Sequence, residues 1–414
     1  MIRHTLKRLA AGAAITALLA PSLTSAAGTA AAPDPSQGDG GVPAFYGWTE
    51  AVSARPGTML RTEPLPDALV LENAAKGVRI LYASTDGLDG RTPIPVSGAL
   101  FVPKGAAPEG GWPLMAWAHG TVGVADVCAP SFAGRSQRDI TYLNHWLAQG
   151  YAVVASDYQG LGTPGGHPYM ASRPAAYSVL DGVRAVQGGD FGLSKKVVLV
   201  GQSQGGGGAF ATAGYAQSYA PELDVRGTVA TGTPWVTAKT FAGATDGARE
   251  TPQETFAYIL LILYLVQQTD PSFRFEDYVS DKAMPAVKLG ATGCLGAVAE
   301  RVMADGLTFN NTFLKDPTEK LAAVFGQMGY STLKPAAPVF MGTGGKDVDV
   351  PPPMQKALII AACREGARLE THLYPELDHS GAVNGSLKDS TPFVKKAFAG
   401  EPIAGDCAGS WAAQ

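Results

Sequence analysis

A serine between two glycines is the first candidate for chemistry in this chain. Gly201, Ser203 and Gly205 follow four aliphatic residues, 197–200, and three further glycines come directly after them. A buried strand that turns sharply into a helix would hold the serine at the turn, and small flanking residues let the two backbones pass closely. The backbone N–H of Gln204 would then lie at a helix start, where an oxyanion is stabilised. The pattern predicts a nucleophilic serine.

A base must take the proton of the Ser203 hydroxyl before that hydroxyl can attack a carbonyl. Two histidines follow the serine in the chain. His379 comes just past the last predicted strand, in a loop from which an imidazole can swing over the sheet. His372 lies inside that strand, where its side chain is committed to one face of the sheet. We therefore expect His379 to be the base.

A carboxylate must orient that base, and the loop after the preceding strand carries Asp347 and Asp349. Asp349 stands directly before a Val-Pro pair that leads into a helix, so turn or capping chemistry would account for it. Asp347 is better placed to point back toward His379, so we expect Asp347 to be the acid and keep Asp349 as the alternative. Asp157 precedes the serine, against the order Ser, acid, His that accompanies this kind of elbow.

A second oxyanion donor is expected in the loop that follows the first central strand. This loop holds His119, Gly120 and Thr121. We expect the backbone N–H of Thr121 to act together with that of Gln204. His119 is then expected to hold the loop by hydrogen bonds.

Strands and helices alternate around these residues, which is typical of a doubly wound, mostly parallel sheet. The chemistry of such sheets lies beyond the carboxyl ends of the strands, where all the candidate residues fall. The first two strands are joined by a turn-rich segment, which predicts an antiparallel start. The predicted strands are 78–84, 95–101, 113–118, 151–157, 197–200, 225–230, 338–342 and 369–373, and the predicted helices are 138–149, 174–187, 209–220, 354–364 and 392–399.

The alternation breaks between two parts of a predicted α/β core, 45–234 and 336–414. Residues 235–335 contain helical patterns and no predicted strand, which indicates a helical insertion. Its run 254–266 is apolar nearly all round and too short to span a membrane. This run is either a buried helix or a cap helix that offers apolar surface to a lipophilic substrate.

The N-terminus has the pattern of a secretory signal peptide, 1–27, with a basic start, an apolar run and small residues near Ala26 and Ala27. Its removal takes away three positive charges and no negative ones, so the formal charge of −4 becomes −7. An acidic, lightly charged protein gives no electrostatic case for binding nucleic acid or an anionic membrane. Residues 28–44, rich in Ala, Pro, Gly and Asp, are expected to form a disordered lead-in.

Four cysteines in an exported chain favour two disulfides, for which three connectivities are possible. They are Cys128, Cys294, Cys363 and Cys407. No two of them are close in sequence, which disfavours a metal site. The expected chemistry needs neither a metal nor an organic cofactor.

Several segments together resemble the secretory lipase family of the yeast lipase A type, in the α/β-hydrolase superfamily, which has bacterial members. The resemblance implies an α/β-hydrolase fold with a helical cap, a Ser203–Asp347–His379 triad, and activity on carboxylic esters including acylglycerols. It also implies the disulfides Cys128–Cys294 and Cys363–Cys407. The segments, in chain order, are 119–121, 128–131, 157–165, 201–205, 347–351 and 363–379.

The chain departs from this family near Thr121, where family lipases often carry an acidic residue, so an esterase is favoured over a true lipase. Glutamines flanking the serine also occur in secreted bacterial esterases, including some that act on hydroxycinnamoyl esters. We therefore expect a secreted serine esterase or lipase that takes a small-molecule or lipid ester and does not insert stably into membranes. The alternatives are a secreted serine exo-peptidase with the same triad and a non-catalytic binding module of the same fold.

Overall fold

One mixed sheet organises the computed structural model, which describes residues 40–413; the predicted signal peptide lies outside this range. Within that range nine strands follow the order β1-β2-β3-β5-β4-β6-β7-β8-β9. The first three strands and the β3–β5 pair are antiparallel, and the remaining neighbours are parallel. The strands are β1 (Met59–Pro64), β2 (Ala74–Thr85), β3 (Pro93–Pro103), β4 (Trp112–Ala118), β5 (Ala152–Ser156), β6 (Leu193–Gln202), β7 (Asp224–Thr231), β8 (Val339–Gly344) and β9 (Leu369–Tyr374).

Helices cover both faces of the sheet, so the predicted doubly wound, mostly parallel arrangement is confirmed. The helices outside the stretch between β7 and β8 are α1 (Pro130–Ala133), α2 (Gln137–Ala148), α3 (Ser172–Gln187), α4 (Gln204–Tyr219), α12 (Pro352–Arg364), α13 (Gly381–Gly385) and α14 (Leu387–Ala399). Those between β7 and β8 are α5 (Ala238–Thr245), α6 (Phe256–Thr269), α7 (Met284–Gly290), α8 (Leu295–Ala304), α9 (Phe309–Thr312), α10 (Thr318–Ala323) and α11 (Phe325–Met328).

The aliphatic run before the serine lies in the centre of the sheet and contributes to both faces. Val198 and Val200 pack in the apolar cluster that includes Trp146 of α2. Val197 and Leu199 pack in the opposite cluster with residues of α3 and α4. Because successive side chains of a strand point to opposite faces, four consecutive aliphatic residues suit a strand that is covered on both sides.

Register aligns the carboxyl ends of the central strands. Ala118 of β4 pairs with Gly201 of β6, and Gly201 pairs with Ala230 of β7. On the far side, Thr231 of β7 pairs with Gly342 of β8. The segments that leave β4, β6, β7, β8 and β9 therefore begin at one edge of the sheet, where the candidate residues were expected.

The helical insertion, residues 235–335, supplies most of one apolar core, and its described residues form no strand beyond two isolated bridges, Val279 with Phe313 and Cys294 with Gly123. Helix α6 runs through the middle of this core. It ends three residues later than predicted, at Thr269. No helix within 40–413 is both long enough and apolar enough to cross a bilayer.

Two disulfides join distant parts of the chain. Cys128, in a short 3₁₀ helix (Asp126–Cys128), pairs with Cys294 at the start of α8. Cys363 of α12 pairs with Cys407 near the C-terminus. This is the pairing that the family resemblance implies.

Candidate active site

Ser203 is the residue between β6 and α4, and its backbone is left-handed, with φ of +59°. Few residues other than glycine adopt this conformation, and those that do cluster at functional sites. The two glycines of the motif are required by space. A Cβ at Gly201 would lie 1.9 Å from the carbonyl oxygen of Gly205, and one at Gly205 would lie 1.9 Å from that of Ala118. The serine therefore stands on a tight turn between a central strand and a helix that crosses the end of β4.

Asp347 and His379 are brought together by the loops after β8 and β9. Nδ1 of His379 lies 2.7 Å from Oδ2 of Asp347, and both side chains are buried. A carboxylate oxygen can only accept, so Nδ1 carries the proton in this hydrogen bond. The other ring nitrogen, Nε2, is buried and has no hydrogen-bond partner among the described residues. The imidazole therefore has one oriented nitrogen and one nitrogen left to accept a proton.

The His379 ring packs against the backbone beside the serine turn. A Cβ at Gly232 would lie 2.7 Å from Cε1 of His379, so only glycine leaves room for the ring there. Gly232 directly follows Thr231, whose carbonyl accepts the backbone N–H of Ser203 at 3.0 Å. The His379 ring and the Ser203 backbone therefore contact two neighbouring residues, Gly232 and Thr231, at the end of β7.

Asp347 is held by three further hydrogen bonds. Its Oδ1 accepts the backbone N–H groups of Asp349 and Val350, at 3.0 and 2.8 Å. Its Oδ2 accepts from the side-chain amide of Gln355, at 3.1 Å. Gln355 also donates to the Val350 carbonyl and accepts from the Thr343 hydroxyl. Sequence reasoning missed Gln355, because a glutamine inside a helix carries no chemical signal of its own.

The competing residues lie in other environments. His372 contacts Glu370 at 3.3 Å and Asp389 at 3.7 Å, and the hydrogen bond to Glu370 raises the pKa of its imidazole. Asp157 accepts from the hydroxyl of Ser97 at 2.7 Å and also binds Ser131, so it ties the loop after β5 to α1.

Asp349, the alternative acid, accepts a hydrogen bond from the Tyr258 hydroxyl of α6 at 2.6 Å. This contact joins the helical insertion to the loop after β8. Asp347, Asp349 and His379 together offer three atoms within 4.8 Å of one another, a spacing that could also suit a metal ion. At Asp347, the donors already directed at both oxygens match a hydrogen-bonded acid better than a metal ligand, since ligating oxygens need free lone pairs.

The expected oxyanion residues, Thr121 and Gln204, line the same cleft as Ser203. The loop after β4 passes close to the serine, since a Cβ at Gly120 would lie 3.5 Å from Cβ of Ser203. The Thr121 hydroxyl is 2.8 Å from the Tyr169 hydroxyl, which fixes the side chain.

His119 keeps the loop after β4 in shape, as expected. Its ring packs against the tilted ring of Tyr158, and Nδ1 lies 2.7 Å from the Gly120 carbonyl. The Tyr158 hydroxyl donates to the His119 carbonyl at 2.9 Å. Burial lowers the pKa of the His119 imidazole, which favours its neutral form.

His167 holds the side chain of Gln204, a contact that the sequence did not indicate. Nδ1 of His167 lies 2.9 Å from the Gln159 carbonyl, so Nδ1 donates and Nε2 must accept. The amide nitrogen of Gln204 lies 3.1 Å from Nε2 and donates to it. Burial lowers the pKa of His167 to about 4, so the imidazole is neutral at pH 7.

A cleft with a volume of about 100 Å³ opens beside Ser203. Helix α6 contributes one wall while its other sides pack in the core of the helical insertion. The run 254–266 is therefore buried on most sides and lines the cleft on one. The apolar lining includes Val236, Phe241, Phe256, Ile259, Ile262 and Met354.

Comparison with known proteins identifies the family of this chain. The sequence model of the secretory lipase family matches residues 129–406, which is more than half of the chain. The chain belongs to the secretory lipase family. A secreted triacylglycerol lipase of Malassezia furfur is 24% identical over 398 residues, covering 87% of this chain and 79% of that protein. A probable inactive lipase of Mycobacterium tuberculosis is 30% identical over 190 residues, covering 42% of this chain and 41% of that protein.

Solved structures share the fold of this chain. Candida antarctica lipase A superposes with a TM-score of 0.70 at 22% identity, over 88% of each chain. The rice cell wall degrading esterase of Xanthomonas oryzae superposes with a TM-score of 0.62 at 23% identity, over 83% of this chain and 98% of that one. The sheet is therefore that of an α/β-hydrolase, and this member of the secretory lipase family is a lipase- or esterase-like hydrolase.

Proposed function

We propose that this secretory lipase family member is an exported serine hydrolase of carboxylic esters, with Ser203, His379 and Asp347 as its catalytic triad. Nε2 of His379 takes the proton of the Ser203 hydroxyl as the serine oxygen attacks the ester carbonyl. Asp347 holds Nδ1–H and stabilises the imidazolium that forms. The observation that carries the proposal is the 2.7 Å bond between Asp347 and His379, which leaves Nε2 unpartnered beside the serine turn.

The tetrahedral intermediate needs donors for its negative oxygen, and the backbone N–H groups of Gln204 and Thr121 are proposed for that role. Gln204 is the first residue of α4, so its N–H points out of a helix start. The intermediate collapses when His379 returns the proton to the leaving alcohol, which gives an acyl-serine. Water then attacks the acyl carbon while His379 takes a proton from it. His379 returns that proton to the Ser203 oxygen as the carboxylic acid leaves. No metal or organic cofactor enters this sequence of steps.

The helical insertion is proposed to serve as a cap over the cleft, because Phe256, Ile259 and Ile262 of α6 line it together with Ser203. This apolar wall suits the hydrocarbon part of an ester and supports a small-molecule or lipid ester as substrate.

We also propose that residues 1–27 are removed on export. The N-terminal sequence of protein recovered from the culture medium tests that cleavage, and a chain that begins at Met1 would contradict it.

Hydrolysis of p-nitrophenyl esters from acetate to palmitate tests the nucleophile directly. Ser203→Ala should lower kcat by about 10⁴-fold or more, since the attacking oxygen is lost. Ser218→Ala, on the exposed side of the same helix, is the matched control and should retain wild-type activity. Equal activity of Ser203→Ala and wild type would refute the assignment. The preferred chain length would distinguish an esterase from a lipase.

Covalent labelling separates the proposed enzyme from a binding module of the same fold. A fluorophosphonate should add once to Ser203 in the wild type and should not add to Ser203→Ala. A parallel assay with aminoacyl p-nitroanilides tests the exo-peptidase alternative. Faster cleavage of these amides than of the esters would favour that alternative.

A further inference from the structure

Asp349 places a carboxylate in a largely apolar cleft. Of the described residues that line the cleft, Asp349 alone carries a charge. Its side chain is only partly buried, and its neighbours Val348 and Val350 line the same wall. A carboxylate beside apolar surface is unfavourable unless it receives hydrogen bonds, so its partners indicate what the cleft accommodates.

The Asp349 carboxylate has one donor among residues 40–413. The Tyr258 hydroxyl donates to Oδ1 at 2.6 Å, and Oδ2 receives no hydrogen bond from the described chain. Burial, and then the nearby Asp349 charge, raise the pKa of the Tyr258 phenol, so it stays protonated and acts as the donor. Oδ2 is therefore available to accept a hydrogen bond from a molecule in the cleft.

A second lining residue offers an acceptor as well. The amide nitrogen of Gln204 is committed to Nε2 of His167, which can only accept. Oε1 of Gln204 is consequently the remaining polar atom of that amide, and it is buried without a partner. Thus the unpaired polar atoms of Asp349 and Gln204 are both acceptors, and a bound molecule that supplies hydroxyl donors would satisfy them.

Asp349 lines the cleft beside Ser203 and lies close to the proposed base. Atoms of Asp349, Asp347 and His379 approach within 4.8 Å of one another. In the proposed mechanism His379 delivers a proton to the leaving oxygen, so that oxygen must approach the imidazole. A group carried one or two carbons away on the alcohol would therefore come within reach of Asp349.

We infer that Asp349, held by Tyr258, is a specificity-determining residue that selects esters whose alcohol portion carries a free hydroxyl group, such as a partially acylated polyol. This inference rests on the proposed ester hydrolysis and names the substrate class of that same site. A hydroxyl donates to Oδ2 of Asp349, whereas an alkyl alcohol leaves this carboxylate unpaired when it displaces water. The site thereby discriminates against simple alkyl esters.

Glycerol 1-butyrate and propyl butyrate test this selectivity, because they differ only in two hydroxyl groups on the same three-carbon alcohol. The wild type should have the higher kcat/KM on the glycerol ester. In Asp349→Val, which matches the flanking valines, the ratio of the two kcat/KM values should fall by about 10- to 100-fold. Asp349→Asn keeps an acceptor oxygen and should retain part of the selectivity. Asp190→Val, on the exposed surface, is the control and should retain the wild-type ratio.

Several outcomes would overturn the inference. Preference of the wild type for propyl butyrate over glycerol 1-butyrate would overturn it by itself, before any variant is measured. An equal loss on both esters in Asp349→Val would mean that Asp349 only supports the loop of Asp347. A stronger preference for choline butyrate that disappears in Asp349→Asn would identify a charge anchor instead. Absence of hydrolysis of every ester by the wild type would refute the proposed function itself, and is distinguishable from these results.

Discussion

The hydrogen bonds around Asp347 determine how the proposed acid holds the proposed base. Asp347 accepts four hydrogen bonds, from two backbone N–H groups, Gln355 and His379. Each bond limits the rotation of the carboxylate, so the imidazole is held in one orientation. The reactivity proposed for Ser203 depends on this fixed arrangement.

Gln355→Leu should lower kcat with little change in KM. The variant removes one hydrogen bond to a charged group, worth about 1.5–3 kcal/mol, so a loss of roughly 10- to 100-fold in kcat is expected. Steady-state kinetics on p-nitrophenyl butyrate provides the measurement. Gln217→Leu, exposed on α4, is the matched control. A rise in KM with kcat unchanged would contradict a positioning role for Gln355.

At the scale of elements, the helical insertion is attached to the loop that carries Thr121. Leu295, the first residue of α8, donates its N–H to the Val122 carbonyl at 2.8 Å, and Gly123 bridges to Cys294. The Cys128–Cys294 disulfide lies beside this contact. The insertion and the proposed oxyanion loop therefore share one covalent anchor.

Removing the two disulfides separately tests this arrangement. Each double variant, Cys128→Ala/Cys294→Ala and Cys363→Ala/Cys407→Ala, should lose about 2–5 kcal/mol of unfolding free energy. Only the first should also lose activity, by about tenfold or more, because a small displacement of an oxyanion donor is costly to the rate. Urea unfolding and esterase kinetics on the same samples would show this. Similar activity in the two variants would argue against a catalytic role for the anchor.

Pattern and composition were sufficient for most elements, and the failures have physical causes. Strand β1 was missed because it is a short edge strand that ends in proline and is only partly buried. Helix α4 begins at Gln204, five residues before the predicted start, because four glycines give no helical signal and tertiary packing alone keeps them helical. Contacts between distant segments, such as Tyr258 with Asp349, leave no trace in local sequence.

The whole molecule should lose stability in mild acid because of His167. Its pKa is lowered from 6.5 to about 4, so the unfolded chain binds a proton at this residue well before the native chain does. Stability from this histidine is therefore complete above pH 6.5 and is lost as the pH falls, by about 3 kcal/mol at pH 4. His372 has the opposite sign, since its pKa is raised in the folded protein.

Urea unfolding at pH 7 and pH 5 measures this effect. Between pH 7 and pH 5 the free energy of unfolding should fall by about 2 kcal/mol more in the wild type than in His167→Gln, because the glutamine has no proton to gain in this range. Gln can still accept from Gln204, so the local hydrogen bond is kept. His372→Gln is the comparison and should not reduce the acid sensitivity. Equal acid sensitivity in wild type and His167→Gln would refute the assignment.

The glycines that begin α4 also have a kinetic consequence. Each costs roughly 1 kcal/mol of helix propensity relative to alanine, so this segment cannot nucleate a helix in the unfolded chain. Its first turn is stabilised by close contact with the ends of β4 and β7, which come from distant parts of the sequence. The nucleophile is therefore set in place only after the sheet has assembled. During refolding with the disulfides intact, ester hydrolysis should return later than the far-ultraviolet circular dichroism signal, and simultaneous recovery would contradict this order.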